Sequence, residues 1–133
     1  MRFLLDSNTC IQFLNRRSEP LLRRLVDTPD EEIAVCSVVR AELFYGAKKS
    51  REPERSRRIQ DGFLGRSTSL PFDDEAAVAY AEIRALLEKA GTPIGANDLL
   101  IASIALSNDL VLVTHNVSEF GRVPGLHVED WES

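Results

Sequence analysis

Short apolar runs alternate with longer stretches in which apolar residues recur every three or four positions. Phe3-Leu4-Leu5, Ile33-Ala34-Val35-Cys36 and Leu110-Val111-Leu112-Val113 read as buried strands, and Ser69-Leu70-Pro71-Phe72 as a short one between them. The first intervening helix is predicted with Asn8 or Thr9 as its cap, running to about Arg17. A second starts at Ser18-Glu19-Pro20, with Leu21, Leu22, Leu25 and Val26 on one side and Arg23 and Arg24 on the other. Ser37 is expected to cap a third through about Lys49, and Glu52 to Arg66 forms a polar fourth. The clearest helix is capped by Asp73, repeats Ala76, Ala79, Tyr80, Ile83 and Leu87, and stops at Gly91. Asn97 is expected to cap the next, from Asp98 to about Ser107, which is apolar nearly all round and so predicted to be buried. A turn around Ser118–Gly121 and a last strand at Leu126–Val128 complete the pattern. Strands alternating with helices imply a parallel sheet covered on both faces. Ligands then gather beyond the carboxyl ends of the strands.

At 133 residues the chain is read as a single domain over 1–133. The 44% apolar and 28% charged residues exclude a disordered tail, a collagen-like chain and a small disulfide scaffold. No apolar run approaches a membrane span, and Asp6 follows the first apolar run too closely for a signal peptide. A cytoplasmic location is therefore expected, with Cys10 and Cys36 as buried thiols. The net charge of −5 is uneven. Residues 40–66 carry eight Lys/Arg against four Asp/Glu, and the remainder carries eight against seventeen. A polyanion could bind at one edge, although a solvated helix of mixed charge explains the same stretch.

Asp6, Asp98 and Glu119 fall at strand ends or helix starts on the predicted ligand edge, and Glu42 lies one and a half helical turns after a strand. Taken singly, each has a plainer explanation: a turn, a salt bridge with Arg40, a favoured charge in a first helical turn, a loop. Thr114 and Asn116 flank the same strand end. Together, three or four carboxylates in one pocket need a cation, because each raises the pKa of the others. Hard oxygen donors suit Mg²⁺ or Mn²⁺. His115 and His127 lack zinc spacing, and neither a phosphate-binding glycine loop nor a GxSxG elbow is present.

Leu5-Asp6-Ser7-Asn8, the stretch Ser37–Ala47 and Gly95-Ala96-Asn97-Asp98-Leu99-Leu100-Ile101-Ala102 together resemble a PIN domain. The closing Val113–Phe120, followed by Arg122–Leu126 and Glu129-Asp130-Trp131, is similar to VapC-type toxins of bacterial toxin–antitoxin pairs. The resemblance covers essentially the whole chain. It implies an α/β fold, a PIN-like three-layer α/β/α sandwich with a mostly parallel central sheet. It implies a Mg²⁺-dependent endoribonuclease cutting structured RNA such as tRNA, a homodimer, and a cognate antitoxin partner. Asp6, Glu42 and Asp98 match the family's metal-site acids, and Asn8 and Thr114 its supporting polar residues. Asn116 departs from the family, since many PIN domains carry a fourth Asp there. Glu119, three residues on, is the candidate to supply the missing charge as a fourth catalytic acid. Arg40 and Lys48, flanking Glu42, are expected to hold the RNA backbone. Two other readings compete: a catalytically inactive PIN-like RNA- or protein-binding module, which Asn116 favours, and a haloacid-dehalogenase-like phosphatase, which needs an Asp where Asn8 stands.

Overall fold

Every residue of β1 (Phe3–Leu5) and β2 (Ile33–Cys36) is buried. Side chains alternate between the faces of a strand, so helices must cover both sides of the sheet. The structure, a computed structural model, describes residues 1–133. With β3 at Thr68–Leu70, β4 at Val111–Val113 and β5 at Val128–Glu129, the five strands form one sheet in the order β3-β2-β1-β4-β5. All four pairings are parallel, and β1 sits at the centre, with Phe3 opposite both Ile33 and Val111. The chain therefore builds outward from β1 to β3 on one side and then returns to place β4 on the other. The carboxyl ends of β1 and β4 flank the resulting switch point, the place where open parallel sheets bind ligands.

Seven helices fill the connections: α1 (Ser7–Leu14), α2 (Glu19–Asp27), α3 (Ser37–Lys48), α4 (Pro53–Leu64), α5 (Asp74–Ala90), α6 (Ala96–Ser107) and α7 (Val117–Phe120). Ser18 caps α2 by accepting from Leu21 N, and Asp73 caps α5 by accepting from Ala76 N at 2.9 Å. Gly91 ends α5 in the left-handed region at φ 72°, a conformation that costs glycine little. As its all-round apolarity predicts, α6 buries Leu99, Ile101, Ala102, Ile104 and Ala105. Trp131 closes the core edge-on against Phe3, at 4.9 Å between ring centroids. Cys10 and Cys36 are both buried and free, and burial raises both thiol pKa values. No helix is long and apolar enough to cross a membrane.

Several boundaries differ from the sequence reading, each for a local reason. The cap of α1 is Asp6 itself, whose Oδ1 accepts from Thr9 N at 2.8 Å, rather than Asn8 or Thr9. Ser37 is the first residue of α3, after Cys36, and Gly95 rather than Asn97 precedes α6. β3 stops at Leu70 because Pro71 has no N–H to continue the ladder. β5 pairs at Val128–Glu129, just beyond the expected Leu126–Val128.

Arg40 is also not where an RNA contact would need it. It is half-buried, and its guanidinium donates to Val35 O at 3.2 Å, Leu64 O at 3.5 Å and Ser67 Oγ at 3.3 Å. It thus ties α3 to β2 and to the end of α4. We expect Arg40→Met to lower stability by about 1–3 kcal/mol, because these carbonyls lose their donor in a partly dry setting. Urea unfolding should show a lower midpoint with an unchanged slope. An unmoved midpoint would mean that the clamp contributes nothing.

Candidate active site

Asp6 follows β1 directly and is only 4% exposed. One carboxylate oxygen caps α1, and the other accepts from the hydroxyl of Thr114, the residue after β4. Thr114 is fully buried, so the bond crosses the switch point between the two central strands inside the protein. Thr9 reinforces it by donating from Oγ1 to Val113 O at 3.2 Å. Burial raises the Asp6 pKa, against the lowering effect of the bonds from Thr114 and Thr9, and the charge of Glu42 adds to the rise.

Glu42 reaches the crevice from α3. Its Oε1 accepts from Ser7 Oγ at 2.6 Å, and no Lys or Arg pairs with it. Ser7 thus orients Glu42, whereas the neighbouring Asn8 is exposed and makes no side-chain hydrogen bond.

Asp98 stands in the first turn of α6, beside Glu119 of α7. Its pKa is pushed up to about 7, first by desolvation, then by the charge of Glu119 and their shared hydrogen bond, and finally by Asp6 and Glu42. Glu119 is the better-stabilised anion of the two. Its Oε1 accepts from Gly95 N at 2.7 Å and its Oε2 from Asn116 Nδ2 at 2.8 Å, and its pKa is lowered, chiefly by the Gly95 bond. Asn116 also donates its backbone N–H to Thr114 Oγ1 at 3.0 Å. It therefore connects both ends of the site, reaching Asp6 through Thr114 and Asp98 through Glu119.

The structure thus brings Asp6, Glu42, Asp98, Glu119, Thr114 and Asn116 into one network of bonds and fields. Asn8, Arg40 and Lys48 stay outside it. Sequence reasoning missed Ser7, Thr9 and Gly95. Only the cap-forming character of the run Asp6-Ser7-Asn8-Thr9 hinted at the first two. His115 was discounted as a zinc ligand, but its ring has a role of another kind. It packs its Nδ1 3.0 Å from Asp130 Oδ2, and with Glu132 it forms a second titratable cluster whose ligand-type atoms lie within 4.8 Å of one another. Asp130 raises the His115 pKa and itself accepts from Glu132 N and Ser133 Oγ, so this cluster pins the C-terminal tail.

The donor set fits a hard divalent cation. Several carboxylates share a crevice, no ion pair neutralises them, and one is forced to hold its proton near neutrality. A cation of that kind would replace the proton.

Similarity to known proteins extends over nearly the whole chain. The profile of the PIN domain family matches residues 3–126. The tRNA(fMet)-specific endonuclease VapC of Salmonella typhimurium is 40% identical over 131 residues, 98% of each chain. Ribonuclease VapC2 of Rickettsia felis is 38% identical over 133 residues, 99% of each. The crystal structure of DNA-bound VapBC from Salmonella typhimurium contains a chain that superposes with a TM-score of 0.93 at 40% identity, covering 98% of both.

The raised pKa of Asp98 carries a pH signature. A carboxyl that holds its proton more tightly when folded stabilises the fold fully below its unfolded value of about 4, and that contribution is lost as the pH rises through about 7. Asp6 acts in the same direction. The lowered Glu119 has the opposite sign, but its effect is felt only as the pH falls below the usual glutamate range. In EDTA the melting temperature should therefore fall between about pH 4 and pH 7, and Asp98→Asn should flatten that fall. Calorimetry on both proteins checks it, and parallel pH slopes would show that Asp98 titrates as an ordinary exposed carboxyl.

Proposed function

The chain belongs to the PIN domain family and, within it, to the VapC ribonucleases; from this we propose that Asp6, Glu42 and Asp98 hold Mg²⁺ and that the protein cuts structured RNA such as tRNA. It is an endoribonuclease of the toxin type. The observation that carries the metal assignment is the meeting of Asp6, Glu42, Asp98 and Glu119 with no salt bridge to a Lys or Arg, Asp98 being pushed up to about 7 by desolvation and then by the charge of Glu119. Mn²⁺ suits the same oxygens.

A bound divalent ion would supply Lewis acidity for the phosphoryl oxygens and a lowered pKa for a water in the crevice. The chain's own residues prepare the setting. Thr114 and Thr9 N–H hold the Asp6 carboxylate in one rotamer, and Ser7 does the same for Glu42. Glu119, itself fixed by Gly95 and Asn116, keeps Asp98 turned toward the other acids. In this reading Glu119 and Asn116 are positioning residues, and Asn116 is not a lost ligand. Intact Asp6, Glu42 and Asp98 weigh against the inactive-module reading. Hydrolysis with departure of the 3′-oxygen leaves 5′-phosphate and 3′-hydroxyl ends.

The partner in this reading is a cognate antitoxin, in keeping with the VapBC toxin–antitoxin pair of the Salmonella structure. A groove of about 380 Å³ lies between α1, α3 and α4, walled by Ile11, Leu14, Leu43 and Ile59 and ending at Glu42. Gln60 Oε1 lines it, buried and without a donor. The groove involves α1 as its apolar sequence suggests, but not α2, whose Leu21 turns fully into the core. An amphipathic antitoxin segment laid there would bring a basic side chain to the acids. The homodimer is also part of this reading, supported by Val78 and Leu86 standing exposed on α5.

Asp6→Asn and Asp98→Asn should each abolish cleavage of a tRNA substrate, as should EDTA. Neither variant should melt below the parent in EDTA, since one repelling carboxyl is gone in each and Asn in place of Asp6 still caps α1. Retained cleavage in either variant ends the assignment. Ile59→Glu, in a side chain 51% exposed, should weaken antitoxin binding at least tenfold, roughly 1.4 kcal/mol, and leave the free enzyme's rate unchanged. Calorimetric titration with the antitoxin checks it, and unchanged affinity would place the antitoxin elsewhere.

A further inference from the structure

The basic stretch loses Arg40 to the interior, yet four other cations remain. Lys48, Lys49, Arg51 and Arg58 are exposed at the outer end of the α3–α4 hairpin, and no carboxylate pairs with any of them. Nearby Arg55 and Arg57, by contrast, pair with Glu52 and Asp61. Among the free cations stands Tyr45, 66% exposed, with Lys49 Nζ 4.9 Å from its ring centroid. Beside it, Arg57 lies over the Phe44 ring at 3.7 Å. Tyr45, Lys48 and Arg58 border an open cavity of about 470 Å³, on a different part of the hairpin from the groove assigned to the antitoxin.

The spacing ties this patch to the acids. Glu42, Tyr45 and Lys49 follow one another at i, i+3 and i+7, so they share one face of α3. Lys49 therefore lies about 10 Å along the helix from Glu42, at 1.5 Å per residue. On a chain of net charge −5 whose other helices pair exposed arginines with glutamates, this face offers free positive charge beside an exposed aromatic ring. Such a combination suits a single-stranded polynucleotide, whose bases stack on rings of any sequence context and whose phosphates meet the cations. Phe44, Ala47 and Pro53 add apolar surface and Glu54 a carboxylate to the cavity wall, but the unpaired cations around them favour a polyanion over a protein partner.

We propose that Tyr45 is a base-stacking platform, and Lys48, Lys49 and Arg58 the phosphate clamp, for an unpaired RNA segment that runs outward from the acid site along α3. The proposal rests on the ribonuclease reading. It adds that the substrate presents single-stranded nucleotides next to the cut, and it places them.

The test measures binding of a fluorescein-labelled tRNA transcript to the full-length protein in the inactive Asp98→Asn background, with steady-state kinetics in the active protein. Tyr45→Ala should weaken binding roughly fivefold or more, and Tyr45→Phe should restore it, because stacking needs the ring and not the hydroxyl. Lys48→Glu with Arg58→Glu should raise KM with little change in kcat. The same pair should reduce the salt dependence of binding by about 0.7 log units per log unit of salt for each phosphate the clamp no longer holds. Unchanged affinity and salt slope in these variants overturn the proposal. So does a loss of antitoxin binding, or a change in oligomeric state by light scattering, with RNA affinity intact, since either gives the face to a protein. Cleavage by Asp98→Asn itself is a separate outcome that overturns the ribonuclease assignment of the acids instead.

Discussion

The hydrogen bond from Thr114 to Asp6 is the contact on which the rest of the site depends. It joins the ends of the two central strands across the switch point, and the same carboxyl group caps α1. A carboxyl so deeply buried is tolerable because each oxygen has a donor and because one of those donors also starts a helix. The rest of the site is referred to this point. α1 leaves it carrying Ser7, which sets Glu42, and the turn after β4 leaves it carrying Asn116, which sets Glu119 and so Asp98. A single anchored group thus determines where three other acids stand.

Asn116 shows how a departure from a family pattern can be compensated by geometry rather than by chemistry of the same kind. Its side-chain amide carries no charge to offer a cation but donates to Glu119 beside Asp98, while its backbone N–H donates to Thr114, which in turn bonds Asp6. Glu119, three residues along the chain, carries a charge that the Gly95 N–H stabilises. The cost is visible in Asp98, whose proton is retained near neutrality first by desolvation and then by the charge of its neighbour Glu119.

Much of this architecture was legible in the residues. Strand runs, the Asp73 and Gly91 boundaries of α5 and the buried α6 all follow from periodicity and turn chemistry, and the four acids were recognisable from their position on the ligand edge. What escaped was decided by tertiary placement. Asp6, Ser7, Asn8 and Thr9 can all cap a helix, and only the position of β4 selects Asp6 and turns Thr9 inward. Arg40 reads as a surface cation in a basic stretch, but the return of α4 brings the Leu64 carbonyl and the Ser67 hydroxyl, both more than twenty residues away, against its guanidinium. His115 and Asp130 meet only because β5 lies beside β4, a pairing that two strand residues scarcely advertise.

The order of strands in the sheet also bears on when the protein becomes dangerous to the cell that makes it. β1 is synthesised first, yet one of its two neighbours, β4, comes more than a hundred residues later, and Asp6 waits for Thr114 over the same interval. Glu42 emerges in between and can already meet Ser7, but Asp98 emerges before β4 and the turn that carries Glu119. No nascent fragment short of β4 can assemble the acid crevice, and long-range parallel pairing of this kind forms late and slowly. The topology is therefore a built-in delay: the finished enzyme can form only once β4 has been made and has paired with β1.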